Sequence, residues 1–376
     1  MELKFNKDNW EKVTLGDVVF EPKETAKDIS EEGLEHIVGL EHIESGDIHL
    51  RNSFSADTDT TFTKVFRNGD VLFGRRRAYL KKAAQATFDG ICSGDITVLR
   101  ANKKLDTRLL PFVIHNDKFF DYAIKHSAGG LSPRVKFKDL ANYEFLLPPK
   151  NQQAELADLL WAMDDVIEKD LDIYNANEFF FQSSLKKFFN ISEKCRLGDL
   201  CSVKSGDTAP QDSKYFDNGR YPFIRMQHIN TNTKGYTNKF DYLNDSGINK
   251  MKLFPKNSIL IPKSGESIRS ENKVILDRDS YVVNHLAVLF NFKENILFKY
   301  VFYFFQNFKL SSLINQTSMP SLNLSEIANI NIPMAEVNAQ QKIVADLDHI
   351  TNNKDILFNK IQSSKALQKS LINQIF

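Results

Sequence analysis

The stretch Pro148–Phe189, which opens PPKNQQAELADLLWAMDDVIEKD and closes FFQSSLKKFF, decides how the chain is organised. Pro148-Pro149 ends whatever precedes it, because neither residue can donate to a ladder and the residue before each is pushed to extended geometry. No glycine or proline follows until Gly198. Apolar residues recur at Leu156, Leu160, Met163, Ile167, Leu171, Tyr174, Phe181, Leu185 and Phe188. The steps are three or four, or skip one beat, which marks a heptad-like seam. About 40 residues at roughly 1.5 Å each make a rod of about 60 Å. A rod with one apolar stripe is not stable alone and needs a partner helix.

Self-similarity supplies the partner. TLGD at Thr14 returns as RLGD at Arg196, HIVGLEHI at His36 as PFIRMQHI at Pro222, and FRNGDVLF at Phe66 as FPKNSILI at Phe254. LSPRVKFKDL at Leu131 returns as SMPSLNLSEI at Ser318, and LKKFF at Leu185 has a counterpart in Leu371–Phe376. LPPKNQQAELADL returns as IPMAEVNAQQKIVADL from Ile332, three residues longer in the turn. The offsets stay at about 182 to 190 residues, half of the 376. The chain is a tandem duplication of one unit, a globular domain followed by a long helix. The second helix, Val337–Phe376, carries Ile343, Leu347, Ile350, Leu357, Ile361, Leu367 and Leu371 on a similar stripe.

These signals predict an α+β fold with two repeated globular α/β domains and two long antiparallel helices in a coiled-coil-like pair. A pseudo-two-fold relates the repeats. The expected boundaries are a first globular domain at 1–147, the central helix at 148–192, a second globular domain at 193–333 and the C-terminal helix at 334–376. The two-fold would set the globular domains at opposite ends of the rod, facing the same side.

Composition narrows the class. Hydrophobic content of 42% and charged content of 26% describe a globular protein, and a net charge of +1 excludes a polycation. Any nucleic-acid binding must come from local patches. Cys92, Cys195 and Cys201 form no close CxxC pair, which predicts reduced thiols and a cytoplasmic protein. MELKFNKDNWEK has no apolar signal core. The run Ile296–Phe308 contains Lys299 and is too short to span a bilayer, so it reads as a buried helix and no membrane partner is expected.

In the first domain, Trp10–Phe20 reads as a short strand or helix start, His36–Ile43 as a buried strand, and Ile91–Leu99 as a strand pair around Ser93-Gly94. Leu109–Lys125 reads as one amphipathic helix, echoed by Leu297–Leu313. Val71-Leu72-Phe73 is a buried strand ended by Gly74, and Arg75, Arg76, Arg77, Tyr79, Lys81 and Lys82 follow it. Arginines held out on a loop by a rigid sheet suit phosphates and the paired acceptors of guanine. The glycine-rich segment SAGGLSPR adds Ser132 and Arg134, with room for close backbone approach to phosphate. The second domain offers Arg225, Gln227, Lys263, Ser264, Arg269, Asn284, His285 and Asn323; Gln and Asn suit the donor–acceptor pair of adenine.

No glycine-rich cofactor loop, Asn/Asp-Pro-Pro-aromatic motif, phosphate loop or HExxH is present, and His36, His42 and His49 match no metal site. No catalytic or metal-binding residue is therefore expected. Two alternatives stand beside a DNA reader: a protein-interaction scaffold built on the paired helices, and a stand-alone DNA-modifying enzyme.

Two globular domains, each followed by a long helix opening with proline and a glutamine pair, resemble the specificity subunit of type I restriction–modification enzymes. The carriers are Leu147-Pro148-Pro149 with Gln152-Gln153, and Ile332-Pro333 with Gln340-Gln341. RRRAY, CSGDI and SAGGLSPR resemble one variety of target-recognition domain, and IPKSGESIRSENK at Ile261 resembles another. The resemblance implies a non-catalytic reader of bipartite double-stranded DNA, with the helix pair as ruler and docking surface. It implies partnership with two methyltransferase subunits and with restriction subunits. No cofactor is implied for this chain itself; S-adenosylmethionine, ATP and Mg belong to the partners.

Overall fold

The computed structural model describes residues 6–26, 33–229, 235–314 and 320–376. Ser318 and Met319 of the repeated loop, and the first five residues, lie outside them. The chain forms two compact units, residues 1–170 with 360–376, and residues 171–359.

Both units are built from the same sheets. In the first, an antiparallel sheet runs Val19–Phe20, Ile96–Ala101, Val71–Gly74, Ala83–Gln85. A second sheet runs Phe54–Ser55, His36–Val38, Gly90–Cys92, Lys64–Phe66, with its middle pair parallel. The second unit repeats both orders with Ser202–Ser205, Leu286–Phe290, Ile259–Pro262, Val274–Ile275 and with Asp241–Leu243, Tyr221–Ile224, Ser280–Val282, Leu253–Phe254. Glu11–Thr14 pairs with Glu144–Leu147, and Lys194–Arg196 with Asn331–Pro333. The duplication read from sequence thus extends to strand order.

The repeated Leu-Gly-Asp motif has a packing cause. A Cβ on Gly16 would lie 3.0 Å from Ala141 Cβ, and one on Gly198 would lie 3.1 Å from Ala328 Cβ. In each unit the glycine lets a one-turn helix seat against the short helix that precedes the closing strand. Any larger residue would push the two apart.

Several local expectations are corrected. The strands Gly90–Cys92 and Ile96–Ala101 belong to different sheets and do not pair. Leu109–Lys125 is two helices, Leu110–Ile114 and Asp117–Lys125, because buried Asn116 caps the second by accepting from the Phe119 N–H at 2.8 Å. In the second unit the helix is Phe298–Asn307, with Tyr300 to Phe305 buried, and a separate 3₁₀ turn covers Leu310–Leu313. Among the described residues no helix is long and apolar enough to cross a membrane.

The long helices are Lys150–Phe188 and Val337–Ile375, each of 39 residues. Within each unit, segments of the two pack antiparallel. In the first unit Gln368 Nε2 reaches Asp164 Oδ1 at 3.3 Å and Lys360 reaches Asp170 at 2.8 Å. In the second, Lys354 pairs with Glu178 while Tyr174 meets Phe358. Rising numbers on one helix oppose falling numbers on the other. The C-terminal helix ends in the core of the first unit, where Phe376 packs on Phe145 and Lys7 Nζ donates to the carbonyls of Gln374 and Ile375. Phe189 fills the matching place in the second unit, against Tyr300 and Phe304. One seam residue is corrected: Leu367 is half-exposed, and Gln368 is buried in its place.

The glutamines explain the helix-start motif. Gln153 is 1% exposed; its amide donates to the carbonyls of Pro148 and Lys104 and accepts from the Asp106 N–H at 2.8 Å. Gln340, also 1% exposed, donates to Ala335 and Asn295 and accepts from the Leu297 N–H at 3.0 Å. The hydrogen bonds therefore match Gln153 with Gln340 and Pro148 with Ala335. Aligning the prolines, which requires a longer second turn, gives the wrong register, since Pro333 lies in a strand.

Candidate nucleic-acid interface

In the first unit three segments far apart in sequence are stitched into one platform. The strand Val71–Gly74 delivers Arg75, whose N–H donates to the Asp95 carbonyl at 3.0 Å and whose carbonyl accepts from Val135 at 3.0 Å. The Arg77 N–H donates to the Pro133 carbonyl at 2.8 Å. A hairpin supports the third segment, with Ala128 and Arg134 exchanging two backbone bonds of 2.9 Å.

The side chains converge on one carboxylate. Arg134 donates from Nε to Asp95 Oδ1 at 2.7 Å and from Nη2 to Oδ2 at 3.3 Å. Arg76 donates from Nη1 to Oδ2 at 3.3 Å and from Nη2 to Ser132 Oγ at 3.1 Å. Arg134 first, then Arg76, holds the Asp95 carboxyl below the usual carboxylate range. Two guanidinium groups on one carboxylate leave surplus positive charge, with Arg75 and Arg77 alongside. Both Arg77 (φ 54°) and Lys81 (φ 49°) are left-handed, a conformation costing an ordinary residue about 1 kcal/mol. They bracket a turn that shows Tyr79 to solvent.

Lys81 stands apart from the others. Its ammonium pairs with Asp117 at 3.2 Å, which also takes Lys369 at 2.9 Å and the Asn373 amide at 2.7 Å. Lys369 leads the causes that bring the Asp117 carboxyl down to about 2. Lys81 thus joins the platform to the end of the C-terminal helix inside the first unit.

The second unit has the same backbone platform with other side chains. The Lys263 N–H donates to the His285 carbonyl at 3.0 Å, Leu322 to the Lys263 carbonyl at 2.8 Å, and Gly265 to the Pro320 carbonyl at 2.8 Å. Ser264 bridges Ser321 as Arg76 bridges Arg134. Position by position, Arg75, Arg76, Arg77, Asp95 and Arg134 become Lys263, Ser264, Gly265, His285 and Ser321. Where the first unit has its guanidinium–carboxylate cluster, the second has Ser264 Oγ at 2.7 Å from His285 Nδ1.

Arg225, Gln227, Asn284 and His285 line one open cleft of about 480 Å³ beside this platform. Arg225 is held by Asp241 at 2.6 Å and lies over the Phe216 ring at 4.9 Å. Gln227 Nε2 sits 3.2 Å from His228 Nε2, and the Asn284 amide donates to Thr208 Oγ1 at 3.4 Å. Arg269 pairs with Glu266 on the neighbouring turn. Asn323 is not brought to the cleft: it opens the helix Leu324–Ala328, its N–H donating to Glu326 at 2.7 Å.

A family model for the type I restriction modification DNA specificity domain matches residues 7–175 and again 192–364. The chain belongs to the type I restriction–modification DNA specificity family. It is 28% identical over 288 residues to the type I restriction enzyme MjaIX specificity subunit of Methanocaldococcus jannaschii, covering 68% of this chain and 66% of that one. The chain therefore spans just under two thirds of that relative's length. It is 32% identical over 136 residues to the EcoDI specificity subunit of Escherichia coli, covering 35% of this chain and 30% of that one. A crystal structure of a type I restriction–modification S subunit from M. genitalium has the same fold: TM-score 0.63, 16% identity, 100% of this chain and 98% of that one. A chain from a study of type I system assembly and conformational transition gives TM-score 0.61 at 20% identity, covering 99% and 98%. The relatives are named specificity subunits, in agreement with the expectation of a non-catalytic component.

Within this specificity-family chain, two platform side chains, Asp95 and Ser321, and the glycine Gly265 lie outside the candidates visible in the sequence. Asp95 sits in CSGDI, whose residues by themselves read as a bend between strands and which otherwise enters only as part of a resemblance, and Ser321 sits in the loop echoing LSPR. The register of the repeat held the signal, since Asp95 and His285 follow equivalent strands. Nothing in either residue type alone marks it.

Proposed function

We propose that the chain is the DNA-reading subunit of a type I restriction–modification complex, each unit recognising one half of an asymmetric bipartite site in double-stranded DNA. The observation that carries this reading is the shared platform. One set of backbone bonds presents Arg75, Arg76, Arg77 and Arg134 in one unit and Lys263, Ser264, Gly265 and Ser321 in the other. Selection for stability alone would leave such equivalent exposed or half-buried positions free to hold any polar residue. Readers of two different sequences require two different donor and acceptor sets on one scaffold. In this reading Arg76 and Arg134 are forks for guanine, Arg75 and Arg77 hold phosphates, and Gln227, Asn284 and His285 address base edges in the second half-site.

The long helices act as ruler and dock. Each base pair advances about 3.4 Å, so the helix length fixes the unread spacer. Partner subunits find apolar side chains left uncovered. In the first unit these are Leu159, Val166 and Leu367; in the second, Ile173, Phe179, Phe180 and Ile356, of which Phe179 is 78% exposed. Two methyltransferase subunits and the restriction subunits are the proposed occupants, bringing S-adenosylmethionine, ATP and Mg. The complex is placed in the cytoplasm, consistent with three free cysteines.

The same uncovered side chains favour a second reading, a scaffold that binds proteins only. Replacing residues 1–147 by another reader separates the two. The DNA-reading account expects one half-site to change and the other to persist in the methylation pattern; a scaffold leaves the pattern as it was. Lengthening the central helix by a few residues should change the spacer alone, and an unchanged spacer sinks the ruler.

A further inference from the structure

We propose that Leu131 is a thymine-methyl reader, an inference that rests on the DNA-reading function of the first unit. Leu131 is 98% exposed, the most exposed of the large apolar residues described. It stands at the apex of the hairpin closed by the Ala128–Arg134 bridge, on the two glycines Gly129 and Gly130. Gly129 has φ +119°, and a Cβ on Gly130 would meet nothing within 4 Å. The apex therefore projects freely, and no fold-stabilising contact accounts for an aliphatic side chain there.

The base of the hairpin, in contrast, is fixed. Arg134 is clamped to Asp95, and Arg76 ties Ser132 to the same carboxylate. Leu131 is thus carried a few residues from the two guanidinium forks, on a segment whose surplus charge selects a polyanion. A DNA duplex satisfies both features at once. Arginine finds phosphate and guanine; leucine, with neither donor nor acceptor, finds the single apolar group of the major groove, the C5-methyl of thymine. A wedge between base pairs would need a stiff backing. Two adjacent glycines, one of them left-handed and the other with open space around it, give none, which leaves the methyl contact.

The test uses the full chain with a co-expressed methyltransferase subunit and duplexes carrying the selected site. Each thymine of the first half-site is replaced in turn by uracil, which deletes only the methyl. One replacement should weaken wild-type binding about fourfold, the scale of one buried methyl group, and leave Leu131→Ala binding unchanged. Leu131→Ala should itself bind the unmodified site about fourfold less tightly with an unchanged salt slope. The inference is overturned if the wild type tolerates every uracil, if the variant keeps the sensitivity, or if the half-site contains no thymine. In those cases sequence-specific binding persists and the reading function stands. Absence of any sequence preference in the wild type overturns both.

Discussion

Ser264 Oγ and His285 Nδ1 lie 2.7 Å apart in the second unit, at the positions where the first unit sets Arg76 against Asp95. The backbone bonds around both pairs are the same, so the exchange of a guanidinium–carboxylate cluster for a hydroxyl–imidazole pair is a change of chemistry on a constant frame. Replacing His285 by Ala should alter the preferred bases in the second half-site and leave the first untouched. Selection of bound duplexes from a random pool reads both halves; a change in the first half contradicts independent platforms.

Asp95 acts through the arginines it holds. Asp95→Asn removes the charge that orients Arg76 and Arg134 but keeps the side chain's size. Discrimination at the affected base pair should fall by about 1–3 kcal/mol. Overall affinity at low salt should hold or rise, because positive charge is gained. Competition between cognate and singly mismatched duplexes measures the ratio; equal losses on all sequences would point to a structural role alone.

Removal of phosphate contacts has a different signature. Substituting Arg75 and Arg77 by Ala should weaken cognate and non-cognate DNA alike and shallow the slope of log affinity against log salt by about 2. An unchanged slope in a binding titration across salt contradicts their assignment.

Gln153→Ala and Gln340→Ala test the helix anchors. Each strands a part-buried backbone N–H, of Asp106 or Leu297, and two carbonyls. A loss of about 1–3 kcal/mol is expected in each unit. Urea unfolding should show a lower midpoint; an unshifted midpoint removes the anchoring role.

The first unit also carries a proton-linked contact. His49 Nε2 sits 2.7 Å from Asp164 Oδ2, with Glu168 at 3.9 Å and Asp47 nearby, and the bond to Asp164 leads the causes that raise the His49 pKa. A raised folded-state pKa gives stability that is complete below the unfolded value of about 6.5 and is lost as pH rises through the folded value. Melting temperature should therefore fall more steeply as pH rises above about 6.5 in the wild type than in His49→Gln. Parallel pH profiles contradict the linkage.

Legibility in the sequence followed the range of the interactions. The repeat, the long helices and most of their seam are periodic and were readable from spacing. The seam failed at Leu367, where the 3.6-residue turn drifts from a strict heptad and brings Gln368 inward to Asp164. Asn116 broke a predicted helix because a cap depends on what the side chain can reach, here the Phe119 N–H and the Tyr143 hydroxyl. Arg75, Arg76, Arg77 and Arg134 were visible as basic residues. Their meeting at Asp95 was not, since backbone bonds between distant segments create it. Lys81, chemically alike, faces Asp117 for the same reason.

The central claim is that two exchangeable platforms in one chain read two halves of one site. Its most direct test maps methylated positions genome-wide after co-expression of the chain with a methyltransferase subunit, for the wild type and for Arg76→Ala/Arg134→Ala. The account predicts a bipartite asymmetric site with a fixed spacer in the wild type, and in the variant a relaxed or altered first half with the second half and spacer intact. A contiguous or symmetric wild-type site, or a variant that changes both halves together, would contradict it.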